Sequence, residues 1–296
     1  MIVTFYGVRG SVPTPGPETL RFGGNTSCVH VRLEDGRDFI FDAGTGLRPL
    51  GAVLRERREP IVILSTHSHW DHIQGFPFFE PIFQPERDIA IIRPIEDREE
   101  QRPGILEQMN GTNFPVPAAV LPSRVRYEDD LLACLGDGDA TVERKPLNHS
   151  GGGSAFKLNT AGATLAYVTD NELVPPETPV TSWSSWVDWL RGVDVMIHDA
   201  QYVEADMPGK HGWGHSLISQ VRQLALDAEV GCLCLYHHDP TRTDADLQEV
   251  RIESERWFRQ RGARTQVVVS FEGLSFEISG SAPEGQRVRA LSALRP

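Results

Sequence analysis

Three histidines and an aspartate crowd into six residues, HSHWDH from His67 to His72, directly after the apolar run PIVILS. That run is β-branched and bounded by Pro60, which predicts a short strand buried on both faces. The polar cluster therefore stands where a strand ends. Side chains alternate along an extended segment, so His67 and His69 point the same way as a chelating pair. A turn into a helix near Asp71 swings Asp71 and His72 back toward the same point from another direction, and one cluster can then serve two metal ions. A lone histidine after a strand is usually a surface or core residue. Three with an aspartate at this spacing, in a chain with ten histidines in all, point to a metal centre.

A centre of this kind needs a large scaffold. The chain has 296 residues, 40% of them apolar, enough for a packed core. Its start, MIVTFYGVRG, lacks a basic segment leading into a long apolar one, and no run of about eighteen apolar residues follows. The expectation is a soluble, cytoplasmic protein without membrane contact. Four cysteines, Cys28, Cys134, Cys232 and Cys234, form no CxxC pair and read as reduced thiols. The net charge of −12, from 41 acidic and 29 basic residues, repels a long polyanion such as RNA, and no strong basic arm offsets it.

Strand-like runs recur as IVTFYG, SCVHVRL, DFIFDAG, IVILS, IAIIRP, TVERKPLNH, AFKLN, TLAYVTD, VDVMIHD, CLCLYHH and TQVVVSF. Leu217, Val221, Leu224 and Ala228 repeat at helical spacing, and Thr243 with Asp246 marks the start of a second helix. SWSSWVDWL reads as a helix packing its tryptophans rather than a base-stacking platform. Strands in a meander, then mixed with helices, suggest an α+β fold of two packed sheets with helices outside. One domain over 1–280 is expected, with an insertion at about 96–122 and a tail, either a short helix or frayed, over 281–296. The insertion suits a loop, a wall of the active site or the contact of a homodimer.

Two metals need further ligands. Candidates stand at strand ends: His149 before three glycines, Asp170 closing LAYVTD, and His237 and His238 closing LCLYHH. Taken in this order with HSHWDH, they resemble the metallo-β-lactamase superfamily from GVRGS to HHDP. The resemblance implies a four-layer αββα sandwich with a dinuclear site between the sheets. It implies one zinc on His67, His69 and His149, a second on Asp71, His72 and His237, and Asp170 bridging them. His237 is chosen over His238 because it directly follows the strand, as in the family's LTH endings. Imidazole-rich ligation suits two Zn2+ ions, with Mn2+ or Fe2+ as substitutes, and iron members usually place a glutamate where His69 stands. Two ions about 3.5–4 Å apart can activate a water as nucleophile.

Within the superfamily, FGGNTSC, FDAGTG, HSHWDHIQGFPFF, NHSGG, HDAQY and GWGHS look most like the ribonuclease Z and cyclic-phosphate phosphodiesterase branch. That likeness implies that His215 contacts the phosphate with Asp199 as its partner, where the family more often has glutamate. As an imidazolium at a helix start, His215 can donate to a phosphate oxygen or leaving alkoxide. Asp71 can ligate and also accept a proton. His30, His198 and His211 read as strand, core and loop residues. The expected activity is hydrolysis of small cyclic or nucleotide-like phosphodiesters, in a pocket walled by Phe76, Phe78, Phe79 and the insertion. GGGSAFKLNTAGATLAYVTD leaves no room for the basic arm with which relatives grip transfer RNA. The alternatives are an ester, lactone or thioester hydrolase on the same metals, a transfer RNA 3′-processing endonuclease, and a non-catalytic metal-binding protein.

Overall fold

A computed structural model describes residues 1–95, 104–129, 140–280, 282 and 287–291. β1 (Ile2–Gly7), β2 (Cys28–Arg32) and β3 (Asp38–Phe41) pair antiparallel. Helix α1 (Leu47–Leu54) then carries the chain back, so that β4 (Ile61–Leu64), β5 (Asp88–Ile92) and β6 (Arg124–Glu128) run parallel to β3. The second half repeats this order. β7 (Thr141–Pro146), β8 (Ser154–Thr160) and β9 (Ala163–Val168) are antiparallel, and β10 (Val195–Asp199), β11 (Cys232–Tyr236) and β12 (Gln266–Val269) follow parallel to β9. The expected initial meander therefore holds only to β3. β4 turns parallel because a helix, not a hairpin, makes the return.

The intervening helices of the second half are α3 (Trp183–Leu190), α4 (Ile218–Asp227) and α5 (Asp244–Gln260). β13 (Ser275–Ile278) returns to pair with β1, and β14 (Val288–Ala290) pairs with β13, so part of the stretch expected as a tail is strand. Alternation within the strands sets the layers. Phe39, Phe41, Val62 and Leu64 point to the inter-sheet core with Phe156, Leu158, Leu165 and Tyr167. Ile40, Ile61 and Ile63 point the other way, onto Leu47, Leu50 and Leu54 of α1. Trp186, Leu190, Val221, Leu224, Leu247 and Phe258 bring α3, α4 and α5 against the second sheet. The result is the αββα sandwich expected from the sequence.

Candidate metal centre

The candidate ligands and the residues that hold them gather past the carboxyl ends of strands, the usual place for a site in a sheet with parallel strands. Asp42 follows β3, His67 and His69 follow β4, Asp170 follows β9, Asp199 ends β10 and His237 follows β11. His69 is extended and caps the short helix α2 (Trp70–Ile73), which turns Asp71 and His72 inward. Backbone geometry is unusual here. Ser11, Asp42, Asp170 and His237 all have φ between 52° and 64°, a left-handed conformation that side chains other than glycine resist. Gly10 and Gly214 leave the space that two imidazoles fill: a β-carbon would stand 2.5 Å from the ring of His237 or 2.1 Å from Nδ1 of His149.

The two oxygens of Asp170 face different partners. Oδ2 lies 3.6 Å from His67 Nε2 and 3.7 Å from His149 Nε2, which is itself 3.0 Å from His69 Nδ1. Oδ1 lies 3.1 Å from His72 Nε2 and 3.0 Å from His237 Nε2, while Asp71 Oδ2 stands 3.2 Å from each of the same two nitrogens. Within each set the donor atoms all lie within 4.8 Å of one another. His237, not His238, reaches this cluster; His238 turns its Nε2 to the carbonyl of Ser270 at 2.8 Å.

Other residues aim the rings. Nδ1 of His72 donates to Asp42 at 2.8 Å, and Asp42 also accepts from Thr66 and from the Tyr167 hydroxyl at 3.0 Å. Gln201 Oε1 holds Nδ1 of His237 at 2.8 Å, and the carbonyl of Gly214 holds Nδ1 of His149 at 3.0 Å. These contacts fix Nε2 as the inward nitrogen, which is how protein groups orient metal-binding imidazoles. The Ser11 amide donates to Asp71 at 2.7 Å. Asp42 and Gln201 lie in FDAGTG and HDAQY; an aspartate closing a buried strand is the only local signal of the first, and Gln201 offers none.

Metal binding requires neutral imidazoles and ionised carboxylates. His67, His69 and His149 are lowered toward that state. At His72, by contrast, burial is overcome by the carboxylates of Asp170, Asp71 and Asp42, which raise the imidazole well above its ordinary range, so a cation bound there would displace its proton. Burial, aided by the neighbouring histidines, holds His67 well below its ordinary range, and burial brings His149 down to about 4 against the pull of Asp170. Burial opposes ionisation of Asp71 and Asp170, yet facing histidines keep both carboxyls well below the usual range. Nε2 of His67 is buried without a hydrogen-bond partner. A neutral imidazole nitrogen left open beside carboxylates, in a His and Asp set, suits a divalent cation.

His215 and Asp199 adjoin this cluster. Nδ1 of His215 lies 2.8 Å from Asp199 Oδ2, and its ring stacks on His237 at 5.1 Å. Burial disfavours the imidazolium, but Asp199 prevails and raises His215 to about 9. His215 does not begin a helix as expected, because α4 starts only at Ile218 with Leu217 as its cap. Its charge is fixed by Asp199 rather than by helix amides. The expected aromatic wall is also corrected: Phe76 and Phe79 are fully buried beneath α1, and only Phe78 is exposed, edge-on to Phe114 of the insertion. Residues 96–103 of the insertion lie outside the described residues, but Gln108 ties the remainder to the carbonyl of Ile73 at 2.8 Å, next to the centre. His30 pairs with Asp38, His198 is buried in β10, and His211 bonds the carbonyl of Val174.

Residues 37–238 match the Beta-lactamase superfamily domain, more than half of the chain. The chain belongs to the beta-lactamase superfamily. A superfamily relative, ribonuclease Z of Streptococcus suis (strain 98HAH33), is 24% identical over 290 residues, covering 80% of this chain and 91% of that one. An acyl-coenzyme A thioesterase, MBLAC2 of Gallus gallus, is 31% identical over 148 residues, covering 44% of this chain and 52% of its own, so the match spans about half of that relative. The crystal structure of a diphosphatase from the PhnP family superposes with a TM-score of 0.63 at 19% identity, covering 94% of this chain and 98% of that chain. The ribonuclease, thioesterase and diphosphatase among these are hydrolases, and this chain carries a His and Asp cluster suited to metal on the superfamily fold. Among the described residues no helix is long and apolar enough to cross a membrane.

Proposed function

We propose that this chain is a di-zinc phosphodiesterase acting on small cyclic or nucleotide-like diesters. The division of donors by the two oxygens of Asp170 carries the reading: His67, His69 and His149 suit one zinc, and Asp71, His72 and His237 a second. Two such ions would supply an activated water and screen the charge of an anionic transition state. Asp71 would ligate one ion and accept a proton from the attacking water. His215 spends Nδ1 on Asp199, which leaves the Nε2 proton for the leaving oxygen. An imidazolium next to the centre favours an anionic substrate, and the ribonuclease Z likeness points to a phosphodiester. The −12 charge opposes a long nucleic acid.

Elemental analysis should find about two zinc ions per chain. A kcat/KM comparison at one salt concentration should rank cyclic nucleotides or bis(p-nitrophenyl) phosphate above precursor transfer RNA, lactones and acyl thioesters. Transfer RNA cleaved far better than every small diester moves the chain to the processing nucleases. Thioester cleavage alone favours the reading that the partial MBLAC2 likeness supports.

A further inference from the structure

Two indoles at the candidate centre have no part in the chemistry above. Trp70 is 74% exposed and Trp213 is 61% exposed, whereas the other four tryptophans pack into the helical layer. A singly exposed apolar side chain is ordinary; what distinguishes these two is that each belongs to a segment touching the candidate ligand His149 or His69.

Both are held on rigid backbone. Trp70 opens α2 between His69 and Asp71. Trp213 stands between Gly212 and Gly214, whose amides donate to the two oxygens of buried Glu172 at 2.9 Å each. The two segments meet on one ring: His149 Nε2 lies 3.0 Å from His69 Nδ1, and His149 Nδ1 donates to the Gly214 carbonyl at 3.0 Å. His69 is the exposed ligand candidate, so the cluster opens on the side where these segments stand. Lys210, near Trp213, is tied to Asp239 at 2.6 Å. With Lys210 so paired, the large exposed hydrophobic side chains of these two segments are the indoles of Trp70 and Trp213.

We propose that Trp70 and Trp213 form a stacking site for the nucleobase of a mononucleotide-sized substrate, a specificity element that rests on the phosphodiesterase reading. A nucleotide carries a flat apolar face a few bonds from its phosphate, which matches one indole flanked by the candidate ligands His69 and Asp71 and another next to Gly214, the residue that holds the His149 ring. A second protein seated on both indoles would instead close the opening. Stacking accepts any base, because every base has a π face, and it acts through binding rather than through the chemical step.

The test compares adenosine 2′,3′-cyclic phosphate with glycerol 1,2-cyclic phosphate, which has the same reacting group and no ring system, on the zinc-loaded full chain. The wild type should favour the adenosine ester. In Trp213→Ala and in Trp70→Ala, checked for unchanged zinc content, that preference should fall about tenfold or more, through KM rather than kcat, and Trp→Phe should restore most of it. No preference in the wild type, or equal losses on both esters, overturns the proposal. If neither ester is hydrolysed the phosphodiesterase reading fails by itself, and titration with adenosine 5′-monophosphate decides the stacking. Quenching of tryptophan fluorescence, with Kd weakened about tenfold in each Ala variant, supports the site. Absent quenching or an unchanged Kd overturns it, as does a dimer that both Ala variants dissociate.

Discussion

Strand β3 has a fully buried aspartate at its first residue and another just past its end, and the two meet different company. Asp38 faces partners that the chain supplies: Nε2 of His30 lies 2.8 Å from its Oδ1, and the guanidinium cations of Arg32 and Arg57 approach to 3.5 and 3.8 Å. Asp42 accepts from a hydroxyl and an amide of Thr66, from Tyr167 and from His72. Beyond His72 stand Asp71 and Asp170, which meet only imidazoles among the ion pairs of the described residues. Arginine closes the charge balance at one end. At the other end the acids converge on histidines whose remaining nitrogens point at one another, an arrangement that takes its cation from solution. Burial is the same at both ends, so it does not distinguish them; the source of positive charge does.

The largest effect that sharpens this contrast is expected for Asp71→Ala, which should lower kcat by about 10⁴-fold with the fold intact, as circular dichroism would check. Near-native turnover would remove Asp71 from the surroundings of the nucleophile. His215→Ala comes next, with kcat lower by about 10²-fold to 10³-fold and zinc content unchanged. Loss of metal in that variant would make His215 a ligand instead.

At the other end of the strand, Asp38→Ala should cost about 3 kcal/mol of stability in urea unfolding while bound zinc stays constant, because arginines and a histidine lose their shared acid. Asp42→Asn should behave in the opposite way, weakening zinc affinity by about 10-fold to 100-fold in a chelator competition. If both variants shift stability and neither shifts zinc, the contrast is broken. The smallest effect concerns pH. Asp199 is what raises His215 to about 9, so in Asp199→Asn the pKa falls and the acid form is lost at lower pH. The basic limb of the kcat profile should move down accordingly, and an unmoved limb would detach His215 from proton transfer.

Local patterns were the legible part of this molecule. HSHWDH lies in one short segment, so strand alternation followed by a helical turn was enough to bring its side chains together. The buried strands β3, β4, β10 and β11 announced themselves as apolar runs. β6 did not, because it reads RVRYE and lies half in solvent at the edge of its sheet, where charge is normal. Gln201 and Asp42 were illegible as aiming residues, since their partners are 36 and 30 positions away. Phe76 and Phe79 follow the motif directly and looked like pocket residues; their burial depends on α1, which no pattern around them reveals. The place of His215 was legible, but the origin of its charge was not, because α4 begins later than its sequence suggests.

Asp170 reaches from the second sheet into histidines of the first. His67, His69, Asp71 and His72 come from the chain before β6 ends, and His149, Asp170 and His237 from the chain after β7 begins. Neither portion owns a complete donor set, so a bound ion would act as a rivet through the seam between two polypeptide halves. A chain nicked between β6 and β7 would then reassemble with an affinity set by free metal concentration, and a chelator would pull the fragments apart.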